Sequence, residues 1–218
     1  GMHRFVWDLH YPPPNALHHD YPISAIYRNT PRVPLGPYVL PGEYTIKLIA
    51  AGESHSRPLT VVMDPRIKTP MQELETQLTL SLELSEMMRE DYDALSQLRG
   101  LREQIQSLKE KQTGSLKLAA VQFDNQLATL QGAHSAPLEG REPGAKQSLT
   151  RLNTDLARVL EILQGSDSGP TTQVIAAIEQ LQKSLEKELS TWNQLRTEQL
   201  SKLNEQLRRA NLPMVHSH

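Results

Sequence analysis

Apolar and polar residues follow two different patterns along this chain, and one replaces the other near residue 68. Before that point, apolar residues recur at every second position in short stretches, which is typical of strands with one buried face. After it, leucines recur every three or four residues, which is typical of amphipathic helices. The sequence therefore predicts an α+β protein, with a small β-domain over residues 1–68 and a helical region over residues 69–218.

Three stretches of the first region are predicted to be strands. They are marked by the apolar residues that share one face: Phe5, Trp7 and Leu9; Tyr44, Ile46 and Leu48; and Leu59, Val61 and Met63. Three or four strands make one antiparallel sheet with an apolar face, whereas a closed sandwich takes about seven. That face needs a cover, and the open alternatives are the chain's own helices, its proline-rich loop, or a second copy. We favour the second copy, in a homodimer.

The pair Pro41-Gly42 stands directly before the second predicted strand and indicates a type II turn. Such a turn requires positive φ at its third position, which glycine adopts without steric cost. We therefore expect positive φ at Gly42. Gly42→Ala should then cost more stability than Gly52→Ala.

The helical region opens with a start signal. Thr69 suits the N-cap, Pro70 suits the first helical position and Gln72 suits a capping box. The leucine spacing then predicts four helices, which run from Pro70 to about Lys111, over residues 116–130, over residues 149–163, and from Pro170 to about Leu207. The first and last contain about 40 residues each, which corresponds to about 60 Å.

These lengths predict an arrangement. The two long helices would be antiparallel, and the two short helices would pack on one half of them as a four-helix bundle. The other half would be a two-helix coiled-coil arm. The leucine stripes are explained first by the helices burying their apolar faces against each other.

Composition excludes several classes of function. The formal net charge of −2 over 218 residues gives no basis for a nucleic-acid partner. The chain has no cysteine, which excludes disulfides, thiolate zinc sites and cysteine nucleophiles. No apolar run approaches the roughly 20 residues of a membrane-spanning helix. Residues 1–70 hold 11 of the 15 prolines, so no long helix is expected there.

The sequence offers little for catalysis. It has no phosphate-binding glycine loop, no nucleophile elbow and no His-Glu-x-x-His helix. The predicted helices contain no histidine, so a di-iron bundle is excluded too. We therefore expect no catalytic residue, no cofactor and no metal. Histidines do cluster near Asp8-Leu9-His10 and His18-His19-Asp20, where a metal site is the alternative to ordinary exposed loop residues.

The proline-rich loop carries the candidate interaction surface, which consists of four tyrosines: Tyr11, Tyr21, Tyr27 and Tyr38. A tyrosine ring presents a flat apolar area with a polar tip, which suits protein interfaces and sugar stacking. Three alternatives stay open for these rings: packing on the uncovered sheet face, contact with a protein partner, and carbohydrate binding.

Four segments appear in an order that resembles a known family: Arg4-Phe5-Val6-Trp7-Asp8-Leu9, Gly36-Pro37, Pro41-Gly42-Glu43-Tyr44-Thr45-Ile46-Lys47-Leu48 and Asp64-Pro65-Arg66. This order resembles the C-terminal region of bacterial sortilin-like (VPS10-type) BNR-repeat proteins, which are often labelled glycosyl hydrolases. The resemblance covers residues 4–68, and the helical part is similar in position and character only. In that family, strands usually precede the Trp-Asp strand, and this sequence lacks them.

The resemblance implies a partial immunoglobulin-like β-domain after a β-propeller, followed by a helical segment, in a secreted or periplasmic protein. Any propeller-borne activity would lie outside this sequence, and no catalytic residue carries over. The expected function is that of a non-catalytic accessory or interaction region. Its partner would be a protein, either the upstream propeller domain or a second copy. A carbohydrate-binding module of a glycosyl hydrolase is the alternative.

Overall fold

The structure is a computed structural model that describes residues 2–21, 26–132 and 147–217. A hairpin comes first and helices follow. The elements are β1 (Gly42–Ala50), β2 (Glu53–Val61), α1 (Met71–Lys111), α2 (Gly114–Gln131), α3 (Leu149–Leu163), α4 (Thr172–Gln194), a π-helical turn (Leu195–Gln199) and α5 (Leu200–Arg209). The predicted α+β class, with a small antiparallel sheet before a helical bundle, is confirmed.

The sheet contains two strands in the part of the chain that the structure describes. β1 pairs antiparallel with β2 over its whole length, from Gly42 opposite Val61 to Ala50 opposite Glu53. The turn between them places Ala51 at φ 51° and Gly52 at φ 84°, as a two-residue type I′ turn requires. The predicted positive φ at Gly42 is wrong, because the left-handed backbone lies in the hairpin turn instead.

The first predicted strand does not form. Residues 9–11 and 37–39 lie antiparallel through a single bridge between His10 and Tyr38, with two hydrogen bonds beside it. Leu9 has φ 64°, which no strand accommodates, so the extended chain stops pairing at that residue. The immunoglobulin-like arrangement therefore stays a prediction.

The helices pack side by side along three axes: α1 forms the first, α2 and α3 form the second, and α4 with α5 forms the third. α2 runs antiparallel to the second half of α1, and Asp124 of α2 binds Arg102 and Lys109. α3 runs antiparallel to the first half of α1, where Gln77 donates to the Leu163 carbonyl. Together α2 and α3 make one interrupted column beside α1.

This arrangement corrects two predictions. The short helices lie on different halves of α1, so no half is a two-helix arm. The long helices are parallel, because contacts join Thr69 to Asp167, Gln97 to Arg196 and Gln104 to His216 in ascending order. The physical reason is that α2 and α3 run in the same direction. The chain therefore reverses twice before α4, and leucine spacing carries no information on that number.

The π-helical turn keeps the last helix in register with the core. Buried residues of this helix follow at spacings of three, four or seven, which fit an α-helix, except between Leu195 and Leu200, which are five apart. One π turn spans five residues, so both leucines face the same way. α4 and α5 consequently act as one helix.

The hydrophobic core lies within the bundle. The fully buried large side chains all belong to helices: Leu84, Met88, Leu95, Leu98, Leu101, Ile105, Leu127, Leu149, Leu152, Leu156, Leu160 and Leu207. Residues 2–21 and 26–40, which we call the arm, are attached to the outside of this core. The Asn153 side chain accepts from the Leu17 amide at 2.7 Å, and Gln164 accepts from the Tyr38 amide at 2.8 Å. No helix among the described residues is long and apolar enough to cross a membrane.

Candidate interaction sites

The open hairpin face is the apolar side of β1, formed by Tyr44, Ile46 and Leu48. Alternation along the strand places these three side chains together, and Leu59 of β2 stands opposite Tyr44. Ile46 is 52% exposed and Leu48 is 60% exposed. The strands make their main contacts with each other rather than with the helices. The chain's own bundle is therefore not the cover that an apolar sheet face needs.

The start of the arm adds to this apolar surface. Phe5 is 89% exposed and Val6 is also exposed. Trp7 is half-buried, and its ring meets the Tyr44 ring edge-on with 5.6 Å between centroids. Its indole nitrogen donates to the His10 carbonyl at 3.0 Å. The arm thus contacts the Tyr44 end of the open hairpin face and leaves Ile46 and Leu48 uncovered.

One of the four predicted tyrosines lines a cavity of about 680 Å³ in the arm, and two others contact residues of its lining. Tyr11 lines it directly. Tyr21 lies beneath the guanidinium of Arg32, which also lines the cavity, at 4.9 Å from the ring centroid. Tyr38 stacks on His10, a further lining residue, at 3.9 Å. Tyr27 is not in the lining, and Arg28 covers its ring instead. The role of these tyrosines in binding stays a prediction.

The cavity wall combines rings with polar groups. Trp7, Tyr11, Pro12 and Pro13 supply apolar area, and Arg32 and Asp8 supply one charge of each sign. Asp8 is already engaged, because it accepts from the His10 amide at 3.3 Å. Rings beside hydrogen-bonding side chains are typical of small-ligand sites. Among the described residues, no three His, Asp or Glu side chains are grouped as a metal ion requires.

Gly36 lies in the cavity wall, where its backbone packs closely against the backbone of Tyr11. A Cβ atom there would lie 1.9 Å from the Tyr11 carbonyl oxygen, so only glycine fits. The neighbouring Pro37 carbonyl accepts from the Tyr11 amide at 2.8 Å. The two ends of the arm are therefore joined where the cavity lies.

A buried carboxyl group lies in the bundle core. Asp91 of α1 is 0% exposed, and neither of its oxygens has a hydrogen-bond partner among the described residues. Burial raises its pKa to about 8, and the nearby Asn153 and Arg99 act in the opposite direction without outweighing burial. At neutral pH the carboxyl is therefore mostly protonated.

Sequence reasoning missed Asp91, although a signal was present. Leu84, Met88, Leu95 and Leu98 are core residues of α1, and their spacing places position 91 on the same face. The sequence stripe instead included Tyr92, which is 36% exposed in the structure. A polar residue at a core position was the available clue. The contact of Asn153 with the arm had no such clue, because Asn153 and Leu17 are 136 residues apart.

A second acidic residue joins α1 to α2. Asp124 accepts from Arg102 at 2.8 Å and from Lys109 at 2.7 Å. Burial raises the pKa of this carboxyl, but hydrogen bonds from the two cations outweigh it, and the net shift is downward. Asp124 is thus a charged structural residue, unlike Asp91.

Comparison with known proteins gives no match for this chain. No family model matches the chain, and neither a curated protein nor a solved structure is similar to it. The resemblance to sortilin-like BNR-repeat proteins therefore stays a prediction.

Proposed function

We propose that this chain is a non-catalytic accessory or interaction region of a larger exported protein, and that it binds a protein partner through the hairpin. The open hairpin face is the observation that carries the proposal. The C-terminal region of a sortilin-like BNR-repeat protein is the setting that the sequence suggests for it.

Energetics support a partner at this face. A two-stranded hairpin is marginally stable alone in water, and a third strand or a packed helix is needed for independent stability. β1 and β2 have nine residues each, yet Ile46 and Leu48 of the open hairpin face are both more than half exposed. Burying such side chains stabilises by about 25 cal/mol per Å² of apolar area. A partner that covered them would supply what the bundle does not.

The backbone of the hairpin supports one mode of binding. Each strand has its neighbour on one side only, so the outer edge of β1 has no strand beside it in the described structure. Unpaired amides and carbonyls at a sheet edge accept an added strand from another polypeptide. The partner would therefore contribute an extended segment, with main-chain hydrogen bonds to β1 and apolar side chains against the open hairpin face.

Site-specific photo-crosslinking in the full-length protein tests this proposal. A photoreactive residue replaces Ile46 or Leu48 in turn, and a matched control replaces Leu118, which is 65% exposed on α2. Strand addition predicts that the two hairpin positions crosslink to partner residues two apart in sequence, since alternate residues share a face. Crosslinks at scattered partner positions, or equal yield from Leu118, would contradict the proposal.

Carbohydrate binding is the second candidate, and the cavity in the arm favours it. Trp7 and Tyr11 offer ring faces there, and Arg32 offers hydrogen-bond donors. In a glycan-binding assay, Tyr11→Ala would abolish binding, while Tyr27→Ala would leave it intact because Tyr27 is not in the cavity lining. Equal effects of the two substitutions would contradict this candidate.

A further inference from the structure

The outer edge of β1 is the best-defined docking surface on this chain. Its side chains alternate, with Tyr44, Ile46 and Leu48 on the apolar side and Glu43, Thr45 and Lys47 on the other. The arm does not pair with it, because the pairing of residues 9–11 with 37–39 ends at Leu9. An added strand would therefore lie beside residues 43–48 of β1. The charges and apolar side chains of these residues indicate which sequence can pair with them.

Glu43 and Lys47 place one negative and one positive charge on the same side of β1. Both are exposed, and neither has an ion-pair partner among residues 2–21, 26–132 and 147–217. One Glu43 oxygen accepts from the Thr60 hydroxyl at 2.8 Å, which leaves the charge of the carboxylate without a cation. They lie four residues apart on the same side of one strand. A strand of the same sequence that runs in the opposite direction would carry the complementary pair of charges.

Only one symmetric register joins these charges. A two-fold axis normal to the sheet keeps the two apolar sides together, so each register is defined by the residue on the axis. An axis at Lys47 places two lysines opposite each other, and an axis at Ile46 places Lys47 opposite Thr45. An axis at Thr45 places each Glu43 opposite Lys47 of the second copy.

We propose that two copies of this chain pair through β1, antiparallel about Thr45, and form one four-stranded sheet in the order β2-β1-β1-β2. Glu43 and Lys47 then make two cross-strand ion pairs on one side of the sheet. On the other side, each Tyr44 stands opposite Ile46 of the second copy. The inference rests on the proposed function and names the partner as a second copy.

Charge reversal with restoration tests the register. Sedimentation equilibrium of the full chain, up to a few hundred micromolar because single-strand interfaces are small, measures the dimer dissociation constant. Glu43→Lys and Lys47→Glu should each raise that constant about tenfold, since each places two like-charge pairs across the strands. The double variant, in which both charges are exchanged, should restore it. Lys117→Glu is the matched control on the exposed surface of α2 and should have no effect.

A disulfide test is independent of affinity. The chain has no cysteine, so Thr45→Cys introduces a single thiol that lies opposite its own copy in this register. Oxidation should give a covalent dimer from Thr45→Cys and not from Ser56→Cys, which is exposed on β2. Helical circular dichroism confirms that each variant retains the bundle.

Three outcomes overturn the inference: a chain that stays monomeric at the highest concentration, a double variant that stays weakened, or equal disulfide yield from the two positions. If the chain is monomeric while Ile46 and Leu48 crosslink to a different protein, the proposed function stands and only the second copy is excluded. If the hairpin positions also fail to crosslink above the Leu118 control, the proposed function fails as well.

Discussion

Replacing Asp91 with asparagine should change how the stability of the bundle depends on pH. Asp91 is buried in the core with a folded-state pKa of about 8, against an ordinary value of 3.8. Asparagine has the same shape and carries no charge at any pH. The substitution therefore removes the ionisation and keeps the packing.

The raised pKa of Asp91 determines whether the free energy of unfolding rises or falls with pH. Below pH 4 the carboxyl is protonated in both the folded and the unfolded chain, so it has no effect on the pH dependence. Between pH 4 and pH 8 the unfolded chain ionises and the folded chain does not, so the free energy of unfolding falls as pH rises. Each pH unit in this window costs about 1.4 kcal/mol, and the whole window costs at most about 5 kcal/mol.

Urea unfolding, followed by far-ultraviolet circular dichroism between pH 4.5 and pH 8, measures the effect. We expect the stability difference, Asp91→Asn minus wild type, to grow by at least about 2 kcal/mol across that range. Any cost of burying the amide itself is independent of pH and cancels in this growth. Asp93→Asn is the matched control, since Asp93 is exposed and pairs with Arg89 at 3.0 Å.

A difference that stays constant with pH would refute the reasoning. Asp91 would then be ionised in the folded protein at neutral pH and would have a partner that the described residues do not supply. A growth of equal size in the Asp93 control would refute it as well, because the effect would then not come from burial.

Three glycine substitutions give further predictions. Gly36→Ala should detach the arm, because the new Cβ would lie 1.9 Å from the Tyr11 carbonyl oxygen; faster amide exchange at Tyr11, with the helical content unchanged, checks this, and unchanged exchange contradicts it. Gly52→Ala should cost about 1 kcal/mol because φ is 84° there. Gly42→Ala places a Cβ in ordinary contact with the Tyr44 ring at 4.0 Å and should change the free energy of unfolding by less than about 0.5 kcal/mol. Thermal unfolding of the two variants compares these costs, and the reverse order would show that the strained turn is at Gly42.

Local patterns in the sequence located most of the regular structure. The predicted strands at Tyr44 and Leu59 and the four helical segments all appear in the structure, because alternation and leucine spacing act over a few residues. The same patterns gave a wrong prediction where a strand depends on pairing with another segment of the chain. The stretch from Arg4 to Leu9 alternates like a strand, yet residues 4–8 pair with no strand in the described structure, and the backbone at Leu9 turns away.

The cavity in the arm likewise contains residues that the sequence indicated and residues that it did not. Sequence reasoning named the tyrosines; Tyr11 lines the cavity, and Tyr21 and Tyr38 contact its lining residues, because the arm folds back on itself at Tyr11 and Pro37. It did not name Arg32, which lines that cavity beside them, since a single arginine in a loop carries no periodic signal.

By itself, the sequence determined the α+β class, the order of a hairpin before helices, and the apolar side of β1, since each follows from spacing within one element. The tertiary structure alone decided that the long helices are parallel, that Asn153 holds the arm, and that the open hairpin face stays uncovered. These features depend on chain reversals and on contacts between residues far apart in sequence. Their physical cause is which surfaces meet in the folded chain, and no pattern within a single element records that.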